Sequence, residues 1–309
     1  MDELFEKCKK LVLNNINGNL DKDTITALST AILALYLTDG KIILEKMPTI
    51  LRNLDIRIKP KSVVELAHEI GLYNNDNIYK NALGATNTQM NVSIKENIPT
   101  ISFQYHLLVS LRGRKDIEVT NTVVHELTHL LRKISPKIEP SKITIYNGVS
   151  ADYIDIKERK ITRACLWFED ALVEYHAKKT TCNLMSLVKD EQLTSELKAF
   201  NKENQQYQDD PESPYKFFNF ILDTLCKDQI LQEKLDATFQ NPSLETYNSL
   251  ATYINETNKE KDFFSKYANL FNQLGTSYAT NDTTNRKNIE ESLLSMTEQF
   301  LTSKNSKGL

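Results

Sequence analysis

TVVHELTHLLRK, Thr122 to Lys133, is the stretch on which the reading of the whole chain turns. Val123, Val124, Leu127, Leu130, Leu131 and Ile134 recur at helical spacing as an apolar stripe. That pattern predicts a helix over about Ile117 to Lys133, with Asp116 as its N-cap. His125 and His129 stand one turn apart and so share a face. Two imidazoles placed in this way converge on one cation, with nitrogens about 2 Å from it. Glu126 lies about 100° further round the helix, where it flanks the cation and reaches a water. Each position of H-E-x-x-H therefore has a chemical task. Neutral imidazoles hold zinc without cancelling its charge, and zinc brings the pKa of a bound water to around 7. A carboxylate beside it accepts the proton and later delivers it to a leaving amine. The plain alternative is a buried helix that happens to hold two histidines. Only 5 histidines occur in 309 residues, and two of them fall here, directly after strand-like sequence, which favours the metal.

Working outward, Met90 to Ile94 and Ile98 to Val109 are rich in β-branched and aromatic residues and predict strands, with Glu96-Asn97 at the turn. Lys142 to Tyr153 predicts a hairpin around Asn147-Gly148. A second helix is predicted over about Lys160 to Thr180. Before this region, residues 1 to about 75 look helical: Leu4, Phe5, Cys8, Leu11 and Val12 share one face, and Asp21 or Asp23 caps a helix that follows. Pro48 and Pro60 punctuate what comes next, Asp55 to Lys59 alternates like a short strand, and Lys61 to Ile70 predicts a helix stopped by Gly71. From 181 onward the pattern is helical, with amphipathic stretches at Tyr215–Leu225, Glu245–Ile254 and Phe263–Leu274. Asp209 to Pro214 reads as a linker and the last residues, SKNSKGL, as a frayed end.

Trp167 to Tyr175, WFEDALVEY, carries the acids that can complete the site. Together with H-E-L-T-H this stretch resembles the zincin metallopeptidases, and among them the gluzincins. There the histidines and glutamate lie on an active-site helix beneath a sheet edge, and a second helix supplies a carboxylate ligand. By that resemblance His125 and His129 are zinc ligands and Glu126 is the general base. The metzincin extension is absent, since Arg132 and Ser135 stand where its glycine and third histidine would be. Fitting Ala171, Glu174 and Tyr175 to the gluzincin form x-E-[GA]-x-x-E-Y puts Asp170 at the ligand position, one methylene shorter than the usual glutamate. Glu169 has the expected side chain but loses the partner at i+4 that Asp170 has in Glu174. Ala164, Phe168, Ala171 and Tyr175 form the most apolar stripe and both acids flank it, so helical phase leaves Asp170, Glu169 and even Glu174 open. Glu174 is then expected to brace a ligating imidazole by accepting its free N–H. Tyr146, Tyr153, Tyr175 and His176 are candidates for stabilising an oxyanion. His68 and His106 carry no motif. The resemblance also makes the strand before the helix a substrate-binding edge, with Gln104 to His106 near the substrate.

Composition sets the outer limits. Hydrophobic residues make up 40%, enough for a sizeable core, and 8 glycines and 8 prolines favour helix over tight-turned sheet. A net charge of -3 gives no reason to expect nucleic acid as a partner. Cys8, Cys165, Cys182 and Cys226 are scattered without a C-x-x-C pair, as reduced thiols in a cytoplasmic protein would be. Ile25 to Leu37 is too short to span a bilayer, which needs roughly 20 residues. The expected fold is α+β and predominantly helical: an N-terminal helical region over 1–77, a zincin-like core with a small mixed sheet over 78–180, and an all-α C-terminal lobe over 181–309. The expected activity is zinc-dependent hydrolysis of a peptide or protein substrate. The alternative is a non-catalytic binding protein on a zincin scaffold, whose helical C-terminal lobe mediates interaction.

Overall fold

The computed structural model describes residues 2–73, 79–80, 82–95, 98–139, 142–155, 158, 160–184, 195, 198–199 and 213–305. The fold is α+β with helix predominant. The chain forms two compact units, Met1–Leu131 with Ala177–Phe200, and Arg132–His176 with Asn201–Leu309. This partition follows contacts, whereas the three-part division above follows sequence texture.

The first unit opens with helices α1 (Asp2–Asn15), α2 (Lys22–Asp39) and α3 (Lys41–Arg52). Asp21 caps α2 by accepting the Thr24 N–H at 2.7 Å. Pro48, expected to interrupt the chain, instead lies inside α3. An internal proline costs about 3 kcal/mol. Ile43, Met47, Ile50 and Leu51 of the same helix are all buried, and full burial of each contributes roughly 1.5–3 kcal/mol, which outweighs that cost. Strand β1 (Leu54–Lys59) and helix α4 (Val63–Glu69) follow, and Ser62 and Glu65 form a capping box. Strands β2 (Gly84–Lys95) and β3 (Ile98–Ser110) precede α5 (Asp116–Leu131), the helix of the H-E-x-x-H pattern. Asp116 is the first helical residue and not a side-chain cap. The returning carboxylate is that of Glu118, which accepts the Lys115 N–H at 3.2 Å.

The sheet order is β1-β3-β2, with β1 parallel and β2 antiparallel to β3. The strand before α5 is therefore central, and the expectation that it forms the edge is corrected. Leu107, Leu108 and Val109 explain this: three successive residues at 0% exposure require cover on both faces. The edge strand of the hairpin is β2. The turn expected at Glu96-Asn97 lies outside the described residues. The unit's core joins Leu28, Ile32, Leu35, Met47, Ile56, Leu107, Val123 and Leu127.

The second unit contains the antiparallel sheet β4-β5-β6-β7, made of Lys137–Glu139, Lys142–Asn147, Ser150–Asp155 and Lys160–Ala164. The predicted hairpin is β5–β6, with Gly148 and Val149 as its two loop residues and Gly148 at φ 63°. The predicted helix from Lys160 starts late. Lys160–Ala164 pairs with β6 as a fourth strand, and Arg163 reaches Asp152 at 3.2 Å. Cys165, at φ 55°, takes the left-handed conformation at the change from strand to helix. Helix α6 (Leu166–Asn183) then contributes its residues to His176 to this unit and those from Ala177 to the first.

Helices α7 (Tyr215–Leu225), α8 (Gln229–Gln240), α9 (Leu244–Asn258), α10 (Phe263–Ala279) and α11 (Arg286–Asn305) complete the second unit. Phe168, Phe218, Phe263, Tyr267, Phe271 and Phe300 form the centre of its core. Residues 209–212 of the expected linker and 306–309 of the expected frayed end lie outside the described residues, and α11 continues to Asn305. Among the described residues, no helix is long and apolar enough to cross a membrane.

Candidate metal centre

Arg114 fixes the start of α5. Its guanidinium donates to the carbonyls of Leu83, Ser110 and Glu118 and, at 2.6 Å, to the Thr122 hydroxyl. One side chain thus ties the residue before β2 and the end of β3 to the first turns of α5. Gly84, the first residue of β2, is pressed against that helix. A Cβ there would lie 2.3 Å from Thr122 Cγ2 and 3.1 Å from Glu126 Oε1. Only glycine lets the strand backbone approach the Glu126 carboxylate this closely. Glu126 is buried at 6% exposure, and Val123, Val124 and Leu127 anchor the helix in the core around it.

His125 and His129 face each other one turn apart, with 3.1 Å between their Nε2 atoms. The C-terminal half of α6 lies beside this helix within the first unit: Thr181 donates to the Asn121 carboxamide at 3.2 Å, and Ala177 is fully buried. The donor atoms that His125, His129 and Asp170 offer all lie within 4.8 Å of one another, close enough to hold a metal ion. Among the described residues this is the sole such group of three. The 3.1 Å between the two nitrogens is close to the roughly 3.3 Å separating two donors of a tetrahedral ion at about 2 Å each. Two imidazoles and one carboxylate are a donor set that divalent transition metals accept.

Glu169 and Asp170 are neighbours in sequence and do different things. Asp170 Oδ2 accepts the hydroxyl of Tyr215, the first residue of α7. Glu169 is bound to Arg132, with Nε to Oε1 at 2.5 Å and Nη2 to Oε2 at 3.0 Å. Both side chains are buried, at 1% and 2% exposure. The surroundings satisfy the pair. Val149 N–H donates to Glu169 Oε2 at 2.9 Å, Arg132 Nη1 donates to the Thr238 hydroxyl at 2.9 Å, and the guanidinium lies 4.0 Å from the centre of the Phe239 ring. The Arg132 carbonyl in turn accepts from Tyr247 at 2.9 Å and from Gly148 N–H at 3.2 Å. Glu169 and Glu174 are not in the metal-holding group; Glu174 is half-buried on the same helix.

A Cβ on Gly148 would sit 2.0 Å from Glu169 Oε1, and the residue is already at φ 63°. Gly148→Ala is therefore expected to lower stability by about 2–3 kcal/mol, combining backbone strain with displacement of the ion pair. A thermal melt showing no change would refute the close approach.

The structure distributes the other candidates as follows. Tyr175 is engaged with Asp223 and Cys226, and burial pushes its phenol well above the ordinary range. His176 stacks on Phe239 with 3.8 Å between ring centres. Tyr146 is half-buried and Tyr153 is 48% exposed. His68 packs on Tyr73, and His106 is buried with Nδ1 3.6 Å from Asp55. Lys133, just past α5, is desolvated and its pKa falls to about 8, opposed by nearby Asp152. A hollow of about 590 Å³ between α10 and α11 is lined by Asn269, Asn272, Gln273 and Asn288 among others, and contains none of the three donors. Tyr215, Arg132, Arg114 and Gly84 are absent from the sequence reading as site residues. Tyr215, Arg132 and Gly84 act through partners distant in sequence, and Arg114 through its reach back to Leu83 as well as through local contacts. No protein family, curated protein or solved structure was found to match the chain.

Proposed function

We propose that this protein is a zinc-dependent peptidase of zincin type. The observation that carries the reading is the convergence of the His125, His129 and Asp170 donor atoms within 4.8 Å on a helix pair whose first member also bears Glu126. Zinc at these donors would lower the pKa of a water and polarise the peptide carbonyl under attack. His125 and His129 supply neutral nitrogens, and Asp170 supplies the single negative charge. Glu126, held between its helix and the β2 backbone, takes the water's proton and returns it to the departing amine. β2 begins beside Glu126 and, among the described strands, pairs on one side only. An extended substrate can add to that open side through main-chain hydrogen bonds, which places the peptide bond near the carboxylate. This moves the substrate-binding edge from the stretch Gln104 to His106 to β2.

The test is zinc content by elemental analysis. The wild type is expected to hold close to one zinc per chain and His129→Ala close to none, because two remaining donors bind far more weakly than three. Equal, near-zero zinc in both proteins would end the metal reading. Cleavage of a peptide library by the zinc-loaded wild type, abolished by chelation, then separates the enzyme from a scaffold that merely binds.

A further inference from the structure

We propose that Tyr215 is the positioning residue of the metal centre, holding the Asp170 carboxylate where it can join the two histidines; this inference rests on the metal reading above. An aspartate ligand stands closer to its helix than a glutamate does and depends more on being aimed. The Tyr215 hydroxyl donates to Asp170 Oδ2. A carboxylate has about four lone-pair positions, so it can accept this bond and still coordinate an ion.

Tyr215 is itself held firmly. It is the first residue of α7, Ser213 Oγ accepts its N–H at 3.4 Å, and its ring meets Phe218 edge to face with 6.4 Å between centres. Phe218 is fully buried and stacks on Phe271 at 4.8 Å, so the phenol is mounted on the aromatic core of the second unit. Further along, Asp223 of α7 engages the Tyr175 hydroxyl of α6. Tyr215, Asn219 and Asp223 therefore form a stripe at one-turn intervals, and its two ends touch the ligand-bearing helix. Asn219, at its middle, is 3% exposed, and neither amide atom finds a hydrogen-bond partner among the described residues. The stripe thus has a polar contact at each end of its run along α6, and Tyr215 makes the one that matters for metal.

Hydrogen bonds to ligating groups typically account for 10- to 100-fold in metal affinity. Tyr215→Phe removes the donor and keeps the ring. Zinc affinity, measured by competition with a chromophoric chelator, is expected to fall about 10- to 100-fold while the far-ultraviolet circular dichroism is unchanged. In an Asp170→Ala background the same substitution should have no further effect on affinity, because the two side chains act through one contact. A purely structural role for Tyr215 would weaken both backgrounds alike. The absorption bands of the cobalt-substituted protein should also shift in Tyr215→Phe. Affinity equal to wild type in Tyr215→Phe would overturn the assignment. A wild type that binds no zinc would overturn the metal reading and this inference with it. If Tyr215→Phe does not fold, 3-fluorotyrosine at position 215 provides the readout: its fluorine resonance should move on adding zinc to the wild type and stay fixed in His129→Ala. A resonance indifferent to zinc would refute the proposal.

Discussion

Glu169→Ala is expected to destabilise the protein by about 3–5 kcal/mol, and Asp170→Ala to leave stability nearly unchanged while weakening zinc binding at least as much as Tyr215→Phe does. The two acids are adjacent, yet they stand in different surroundings, Glu169 paired with Arg132 and Asp170 beside Tyr215. Removing the Glu169 carboxylate leaves the Arg132 guanidinium, 1% exposed, without its counter-ion in a low-dielectric interior. It also strips Val149 N–H of its acceptor. Unpaired buried charge is among the most destabilising lesions a single substitution can make. Arg132→Ala should cost a similar amount, for the mirror reason. A Glu169→Leu, Arg132→Leu double variant should recover part of the loss, since apolar groups of similar volume often replace such a pair at little cost. Urea unfolding of the four proteins, read together with zinc content, checks all of this. Loss of zinc with no loss of stability in Glu169→Ala would show that Glu169 is the ligand and would reverse the assignment.

The sequence left that choice open because it considered α6 alone. On an isolated helix Asp170 and Glu169 flank one apolar stripe equally. The deciding phase comes from elsewhere on the same helix. Thr181 faces Asn121, one turn before His125. Asp170 lies eleven residues before Thr181, about three full turns at 100° per residue, so it falls within about 20° of the same face. Glu169, one residue earlier, falls about 120° away, towards Arg132 and the β5–β6 turn. That a threonine near the end of the helix meets α5 is a tertiary fact that no local pattern reports. By contrast, the Asp21 cap, the Asn147-Gly148 hairpin and Tyr215–Leu225 were legible because Asp21, Gly148 and the aromatic spacing act within a few residues, whereas the cap expected at Asp116 fell one residue inside the helix. Pro48 and Lys160–Ala164 were misjudged for one reason: burial in α3 and pairing with β6 overrode local preference. The central place of β3 belongs to the same class, since strand order is set by the parallel pairing of β1.

Glu126→Gln is expected to retain zinc and lose peptide hydrolysis by about 100- to 10,000-fold, the range attributed to a positioned general acid–base group. The isosteric amide keeps the side chain's volume beside Gly84 and Thr122, where a larger change would disturb the strand–helix contact. It cannot accept a proton at neutral pH, so the attacking water loses its base and the departing amine its acid. kcat should carry most of the loss, with KM nearly constant, because binding along β2 does not use the carboxylate. Zinc content equal to wild type separates this effect from damage to the site. Gly84→Ala offers a complementary route to the same group. Its added methyl would collide with Thr122 Cγ2 at 2.3 Å and crowd Glu126 Oε1, so it should lower turnover without removing any catalytic atom. Full hydrolysis in Glu126→Gln would show that another group carries the proton and would remove Glu126 from the catalytic role.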